Sequence, residues 1–163
     1  MKTLLLMRHA KSSWSSAKLA DHDRPLNDRG LADVPKMGEL LASLDVVPDV
    51  ILCSTAERAR QTVELLCQTL PFEGEVIYSR MLYHAGDEVF NEELGRLGDE
   101  IEIAMIVGHN PGMEYAVENY TGDWERMSTA SVARIEFPIS NWGEMADEPE
   151  GELTGLWRPK EIG

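Results

Sequence analysis

Short unbroken apolar runs alternate along this chain with longer stretches whose apolar residues recur every three or four positions. Leu4-Leu5-Leu6-Met7 does not alternate with polar residues, which suits a strand buried on both faces of a parallel sheet. Val50-Ile51-Leu52-Cys53 and Ile103 to Val107 read the same way, and Glu75 to Tyr78 predicts a shorter strand between them. Helical spacing links Leu31, Val34, Met37, Leu40, Leu41 and Leu44. Pro35 falls inside that pattern, so this helix either starts near Asp33 or is kinked there. Ser54-Thr55-Ala56-Glu57 has the form of a capping box, opening a helix with Ala59, Thr62, Val63, Leu66 and Leu70 inward. A further helix is expected from about Asp87 to Leu97, and Asn110-Pro111 supplies an N-cap and a first-turn proline for another. Ser131 to Phe137 alternates as a strand, and Leu153 to Trp157 adds one at an edge. The acidic stretch Glu144 to Glu152 and the polar stretch Lys11 to Arg29 read as surface loops.

Strands separated by helical segments of this length predict an α/β fold: a three-layer sandwich with a mainly parallel central sheet and helices on both faces. The 163 residues, 43% of them apolar, suffice for one domain, residues 1–163, around one sizeable core. No apolar run approaches the roughly 20 residues of a membrane span, and the first run stops at Arg8, too soon for a secretory signal, so a cytoplasmic location is expected. The two cysteines, Cys53 and Cys67, make no disulfide framework and are expected as reduced, buried thiols. Fifteen Lys and Arg against 29 Asp and Glu give a net charge of −14, which repels nucleic acid and anionic membranes; neither is an expected partner. The same charge repels phosphorylated metabolites at long range unless a pocket concentrates the few cations.

Ligands of open parallel sheets bind beyond the carboxyl ends of the strands, where loops lead into helix N-termini. Arg8-His9-Ala10 follows the first run, Ser54 to Ala59 the second, and Gly108-His109-Asn110-Pro111-Gly112 the Ile103 strand. Topology therefore brings Arg8, His9, Arg58 and His109 to one rim. Guanidinium forks match phosphate oxygens and helix N–H groups point outward, so phosphate is the natural ligand. Arg58 carries extra information, because a cation in a helix's first turn opposes the macrodipole at a cost of roughly 0.3–1 kcal/mol.

Four segments, Leu6-Met7-Arg8-His9-Ala10, Arg24-Pro25-Leu26-Asn27-Asp28-Arg29-Gly30, Ser54-Thr55-Ala56-Glu57-Arg58-Ala59-Arg60-Gln61-Thr62 and Val107-Gly108-His109-Asn110-Pro111-Gly112, together resemble the histidine phosphatase superfamily. The likeness is greatest to its short SixA-type branch of phosphohistidine phosphatases, and it extends to at least Gly112. It implies a phosphoglycerate mutase-like fold and a hydrolase that forms a phosphohistidine intermediate without metal or other cofactor. It also implies a role in signal transduction, with a phosphohistidine-bearing protein or a small phosphorylated molecule as substrate. By the same resemblance His9 is the nucleophile, Arg8 and Arg58 bind phosphate, and His109 is the second pocket histidine, expected protonated. Arg24 stands near the pocket mouth, touching phosphate or bracing its loop, while Arg29 and Gly30 are structural. Leu82-Tyr83-His84-Ala85 also resembles the family, with His84 read as a loop residue. Larger members carry a carboxylic acid that protonates the leaving oxygen. Here Asp87 and Glu88 are only the nearest candidates and equally suit a helix start.

To attack phosphorus His9 must be unprotonated at Nε2, which requires Nδ1–H to be held by an acceptor such as a backbone carbonyl. Three rival readings remain. A cysteine phosphatase needs Cys-x5-Arg, but the residue six after Cys53 is Ala59. A metal-dependent hydrolase using His9, His22, His84 and His109 lacks any recognisable ligand spacing. The third is a phosphate-binding module without turnover.

Overall fold

A computed structural model describes residues 1–162. The apolar runs form the centre of its sheet. Strands β1 (Lys2–Arg8), β2 (Val50–Ser54), β3 (Glu75–Ser79) and β4 (Ile103–Gly108) are parallel, β1 pairing with β4, β4 with β2 and β2 with β3. Strand β5 (Val132–Phe137) runs antiparallel along β1, and β6 (Glu152–Trp157) antiparallel along β5, giving the order β3-β2-β4-β1-β5-β6.

Successive side chains of β1 enter opposite cores. Leu4 and Leu6 join Leu52, Ile106, Phe90 and Val117, whereas Leu5 and Met7 join Ile51, Val34, Leu41 and Leu66. Helices α3 (Asp87–Leu94) and α4 (Gly112–Thr121) cover the first face; α1 (Asp28–Ser43) and α2 (Glu57–Thr69) cover the second. A strand roofed on both sides has no polar face, so β1 and β2 read as runs without alternation. Each fully buried leucine contributes about 1.5–3 kcal/mol, so a charge at Leu5 or Leu6 would disrupt one whole layer. The architecture is the expected three-layer α/β sandwich.

Several boundaries differ from the sequence expectation, each for a local reason. Helix α1 starts at Asp28, not near Asp33, because the Asn27 side chain accepts a hydrogen bond from the Gly30 N–H at 2.9 Å and caps it. Pro35 is carried inside, where Val34, Met37 and Leu41 are buried on either side of it. No capping box opens α2. Ser54 belongs to β2, its hydroxyl is turned into the site described below, and Ala56 stands at the N-cap without a side-chain bond. Asn110 does not cap α4 either; its amide donates to the Met127 carbonyl at 2.9 Å, and the helix starts at Gly112 after Pro111. Helix α3 ends at Leu94, short of Leu97. The segment after β5 is not wholly a solvated loop, since a 3-10 helix at Trp142–Asp147 buries Trp142 and Met145. Nor is Lys11 to Arg29 a simple surface loop: Ser12 bridges Leu26, a 3-10 turn forms at Asp21–Asp23, and Arg24 and Leu26 are buried.

The sheet order places the carboxyl ends of β1, β2 and β4 side by side. Its register sets Arg8 beside Gly108. Gly112 lets the loop from β3 lie against the start of α4, because any Cβ there would collide with the Ala85 carbonyl oxygen.

Candidate active site

Where these three strands end, Arg8, His9, Arg24, Arg58 and His109 line one concavity of about 330 Å³, open to solvent. His9 follows β1 directly, and its backbone N–H donates to the Gly108 carbonyl at 2.9 Å, fixing the chain across the sheet. Its Nδ1 lies 2.7 Å from its neighbour's carbonyl, that of Ala10, so Nδ1 carries the hydrogen and Nε2 keeps its lone pair. The bond expected for an unprotonated Nε2 is therefore present. Arg58 Nε donates to that Nε2 at 3.3 Å. Burial, aided by Arg58, Arg8 and Arg24, lowers the His9 pKa to about 3 against the support of the Ala10 carbonyl.

His109 follows β4, its ring 5.0 Å from that of His9, with Nε2 2.8 Å from the Ser54 hydroxyl. Its Nδ1 is buried without a hydrogen-bond partner among the described residues. Burial foremost, with His9, Arg58 and His84 adding to it, pushes its pKa down to about 2. The expectation of a protonated His109 is thus corrected. The ring is shut away from water among like charges.

Arg58 is only 3% exposed although it sits in the first turn of α2. Its conflict with the helix dipole is offset by Asp21, whose carbonyl accepts from one terminal nitrogen at 2.7 Å and whose carboxylate accepts from the other at 3.1 Å. Arg24 both lines the pocket and braces its loop. It donates to the Ser12 hydroxyl at 2.7 Å, to the Ser13 carbonyl at 3.2 Å and to Asp21 Oδ1 at 3.1 Å, with the Trp14 ring 3.5 Å from its guanidinium carbon. Arg8 donates to the Met127 carbonyl at 3.0 Å, and its Nε has no partner among the described residues. Behind the pocket the Thr62 hydroxyl accepts from Ala10 N–H at 3.0 Å and donates to the Arg58 carbonyl at 2.7 Å.

Four residues that the sequence did not assign to this pocket stand in it or on its rim: Trp14, Asp21, Tyr83 and His84. Asp21 is bonded to Arg58, Arg24 and the Tyr83 hydroxyl, and its carboxylate lies 3.7 Å from His84 Nε2. Tyr83 foremost, then Arg58 and Arg24, hold its carboxyl well below the usual range despite the opposing effect of burial. The one available signal was an acidic residue three before Arg24. Tyr83 and His84 reach the rim through a 3-10 turn at Arg80–Leu82, with His84 in the left-handed region at φ 59°.

Other candidates fall away from this place. Asp87 and Glu88 open α3 and line a neighbouring cleft, where Asp87 accepts from the Asn119 amide at 2.8 Å. Cys53 is buried, and burial pushes its thiol up, which removes the thiolate a cysteine phosphatase requires. His22 is engaged with the Thr55 hydroxyl at 2.8 Å, and among the described residues no three His, Cys, Asp or Glu side chains gather as a metal site. What the pocket offers is an imidazole lone pair inside a cage of guanidinium groups, suited to an anionic electrophile.

The sequence profile of the histidine phosphatase superfamily (branch 1) matches residues 4–82. An uncharacterised chloroplast protein of Arabidopsis thaliana is 33% identical over 170 residues, which is 97% of this chain and 78% of that one. The structure of a protein named as the putative phosphohistidine phosphatase SixA of Agrobacterium tumefaciens matches with a TM-score of 0.83 at 27% identity, covering 97% of this chain and 98% of its own. The protein histidine phosphatase SixA in complex with tungstate shares the fold with a TM-score of 0.85 at 20% identity, covering 99% of each chain. On these likenesses of sequence and fold, the chain belongs to the histidine phosphatase superfamily and stands with its SixA-type members.

Proposed function

We propose that residues 1–163 act as a single domain that removes the phosphoryl group from phosphohistidine on a protein, through a phosphoenzyme formed on His9. The observation that carries this reading is the orientation of His9: Nδ1 bound to the Ala10 carbonyl at 2.7 Å, Nε2 directed at Arg58. The likeness to SixA-type phosphatases supports the choice of substrate.

The chemistry follows from the residues. Neutral His9 attacks phosphorus through Nε2 as the substrate's phosphorus–nitrogen bond breaks and its imidazole leaves with the electron pair, while the proton on His9 Nδ1 stays there, donated to the Ala10 carbonyl, and keeps the ring in place. Arg8 and Arg58, with Arg24 at the mouth, neutralise the phosphoryl oxygens in a loose transition state, where positioning and charge supply most of the rate. Water then attacks the phosphorus of phosphorylated His9, and the imidazole leaves with its electron pair. No step requires a metal, so turnover should persist in excess chelator. The open mouth, with Trp14 and His84 exposed on its rim, gives a side chain on a protein surface room to enter. On this reading the phosphatase acts in cytoplasmic signal transduction.

The test offers the protein phosphohistidine-bearing proteins and a panel of phosphate esters side by side. Preference for the phosphohistidine proteins, with an acid-labile, base-stable phosphate trapped on His9, is the expected result. Preference for one small ester would make it a small-molecule phosphomonoesterase instead, and binding without turnover on any substrate would make it a phosphate-binding module.

A further inference from the structure

The pocket holds a nucleophile and cations, but an ester substrate poses a second problem, since its leaving oxygen departs as an alkoxide unless a proton reaches it. In an in-line displacement that oxygen lies on the far side of phosphorus from His9. His9 is at the floor, so the proton must come from the mouth.

Of the groups there, most cannot give one. Asp21 is ionised, held so by Tyr83, Arg58 and Arg24. Tyr83 has its hydroxyl bonded to that carboxylate, and burial pushes its phenol up. His109 is neutral, turned to Ser54 and buried. Asp87 and Glu88 lie in the neighbouring cleft. His84 is different. Its side chain is 56% exposed, it lines the same concavity as His9, and its Nε2 is 3.7 Å from an Asp21 oxygen that itself accepts from Arg58. That oxygen marks where an anion on Arg58 rests, and His84 reaches it.

We propose that His84 is the general acid of this pocket, protonating the leaving oxygen of phosphate monoesters and so extending the substrate class from phosphohistidine to alkyl phosphates. The inference rests on the phosphatase reading above. The groups that face His84 are the Asp21 carboxylate, the Tyr83 ring at 4.0 Å, the His109 ring at 5.5 Å and, across the neighbouring cleft, Asp87, Glu88 and Glu148. As the bond from His9 Nε2 to phosphorus forms and the phosphorus–oxygen bond breaks, the imidazolium proton of His84 passes to the leaving oxygen, releasing the alcohol and leaving His84 neutral. His84 regains its proton from solvent, and water attacks phosphorylated His9, giving its own proton to solvent. The phosphorus–nitrogen bond breaks, phosphate leaves, and both histidines return to their first state. The backbone at His84 is left-handed, with φ 59°, a conformation that Asn also tolerates.

The experiment compares native protein with His84→Asn and His84→Gln on glycerol phosphate and on p-nitrophenyl phosphate, whose leaving group departs without a proton. Glycerol phosphate turnover should fall roughly 10²–10⁴-fold and p-nitrophenyl phosphate turnover by less than about tenfold. The decline of native glycerol phosphate turnover at high pH, where imidazolium is lost, should vanish in both variants. Equal losses on the two esters, an unchanged rate on glycerol phosphate, or a native protein inert toward it would overturn the assignment. Trapping the phosphoenzyme in the same assay separates the two claims. A phosphoenzyme on His9 combined with any of those results sinks only His84, whereas p-nitrophenyl phosphate turnover without a phosphoenzyme sinks the nucleophile and the reading beneath it.

Discussion

The Asp21 carboxylate accepts a hydrogen bond from the Arg58 guanidinium at 3.1 Å, so the pocket holds an anion of the protein's own. A phosphoryl group arriving at Arg58 meets that carboxylate as a competitor for the cation and as a like charge. Asp21→Asn should therefore bind inorganic phosphate about tenfold more tightly, ~1.4 kcal/mol. Calorimetric titration reads this directly. Weaker binding would mean that Asp21 serves chiefly to aim the two arginines.

His9→Ala should reduce turnover by on the order of a thousandfold or more, because no other group in the pocket can form the covalent intermediate. The same substitution should abolish the trapped phosphoenzyme. Near-normal turnover in the variant would refute the nucleophile.

Arg58 meets both His9 and Asp21, so its removal should slow chemistry and weaken phosphate together. Arg58→Ala is expected to lose roughly 10²–10³ in kcat. Added phosphate, which should raise the Tm of the native protein, should do so much less in the variant. Equal stabilisation of both proteins would take Arg58 out of the anion site.

Acid should destabilise the fold through its two buried imidazoles. His9 and His109 have folded pKa values of about 3 and about 2, below the ordinary 6.5, so each stays neutral in the folded state over a range where the unfolded chain takes up a proton. Their stability contribution is complete above pH 6.5 and is lost as pH falls toward the folded values, at about 1.4 kcal/mol per pH unit for each proton. Denaturant melts between roughly pH 4 and 7 should show this slope, and His109→Asn should lessen it by one proton. An unchanged slope would contradict the burial of that ring.

The acidic residues that open α3 lie outside the His9 pocket. Asp87→Asn with Glu88→Gln should alter phosphohistidine turnover by less than about twofold. A large loss would show that the α3 terminus swings into the reaction.

The buried strands explain why the convergence of His9, Arg8, Arg58 and His109 on one pocket could be read from the chain alone: each follows the end of an apolar run, and parallel topology brings such ends together. Asp21, Trp14 and His84 come from stretches without periodicity. Their positions depend on distant partners, the Ser12–Leu26 bridge and the Tyr83–Asp21 bond among them, which no local spacing encodes. The caps misled for a related reason. Ser54 and Asn110 have N-cap chemistry, but His109 and the Met127 carbonyl compete for their side chains in the folded state. Pro35 likewise suggested a boundary that the Asn27 cap and the buried face of α1 override.

Thr62 shows how far from the cleft the reactive geometry is decided. Its hydroxyl ties the Ala10 amide to the Arg58 carbonyl, and Ala10 and Arg58 are the two residues that grip opposite nitrogens of the His9 ring. One fully buried residue on the inward face of α2 thus ties together the backbones on either side of the imidazole, while Asp21 holds the guanidinium itself. A surface survey of the cleft would miss it, while a single methyl in place of that oxygen would uncouple the loop after β1 from the helix after β2. The tolerance of the pocket to redesign is accordingly set from beneath, by the packing of α2 on the sheet, as well as by the side chains that a ligand would meet.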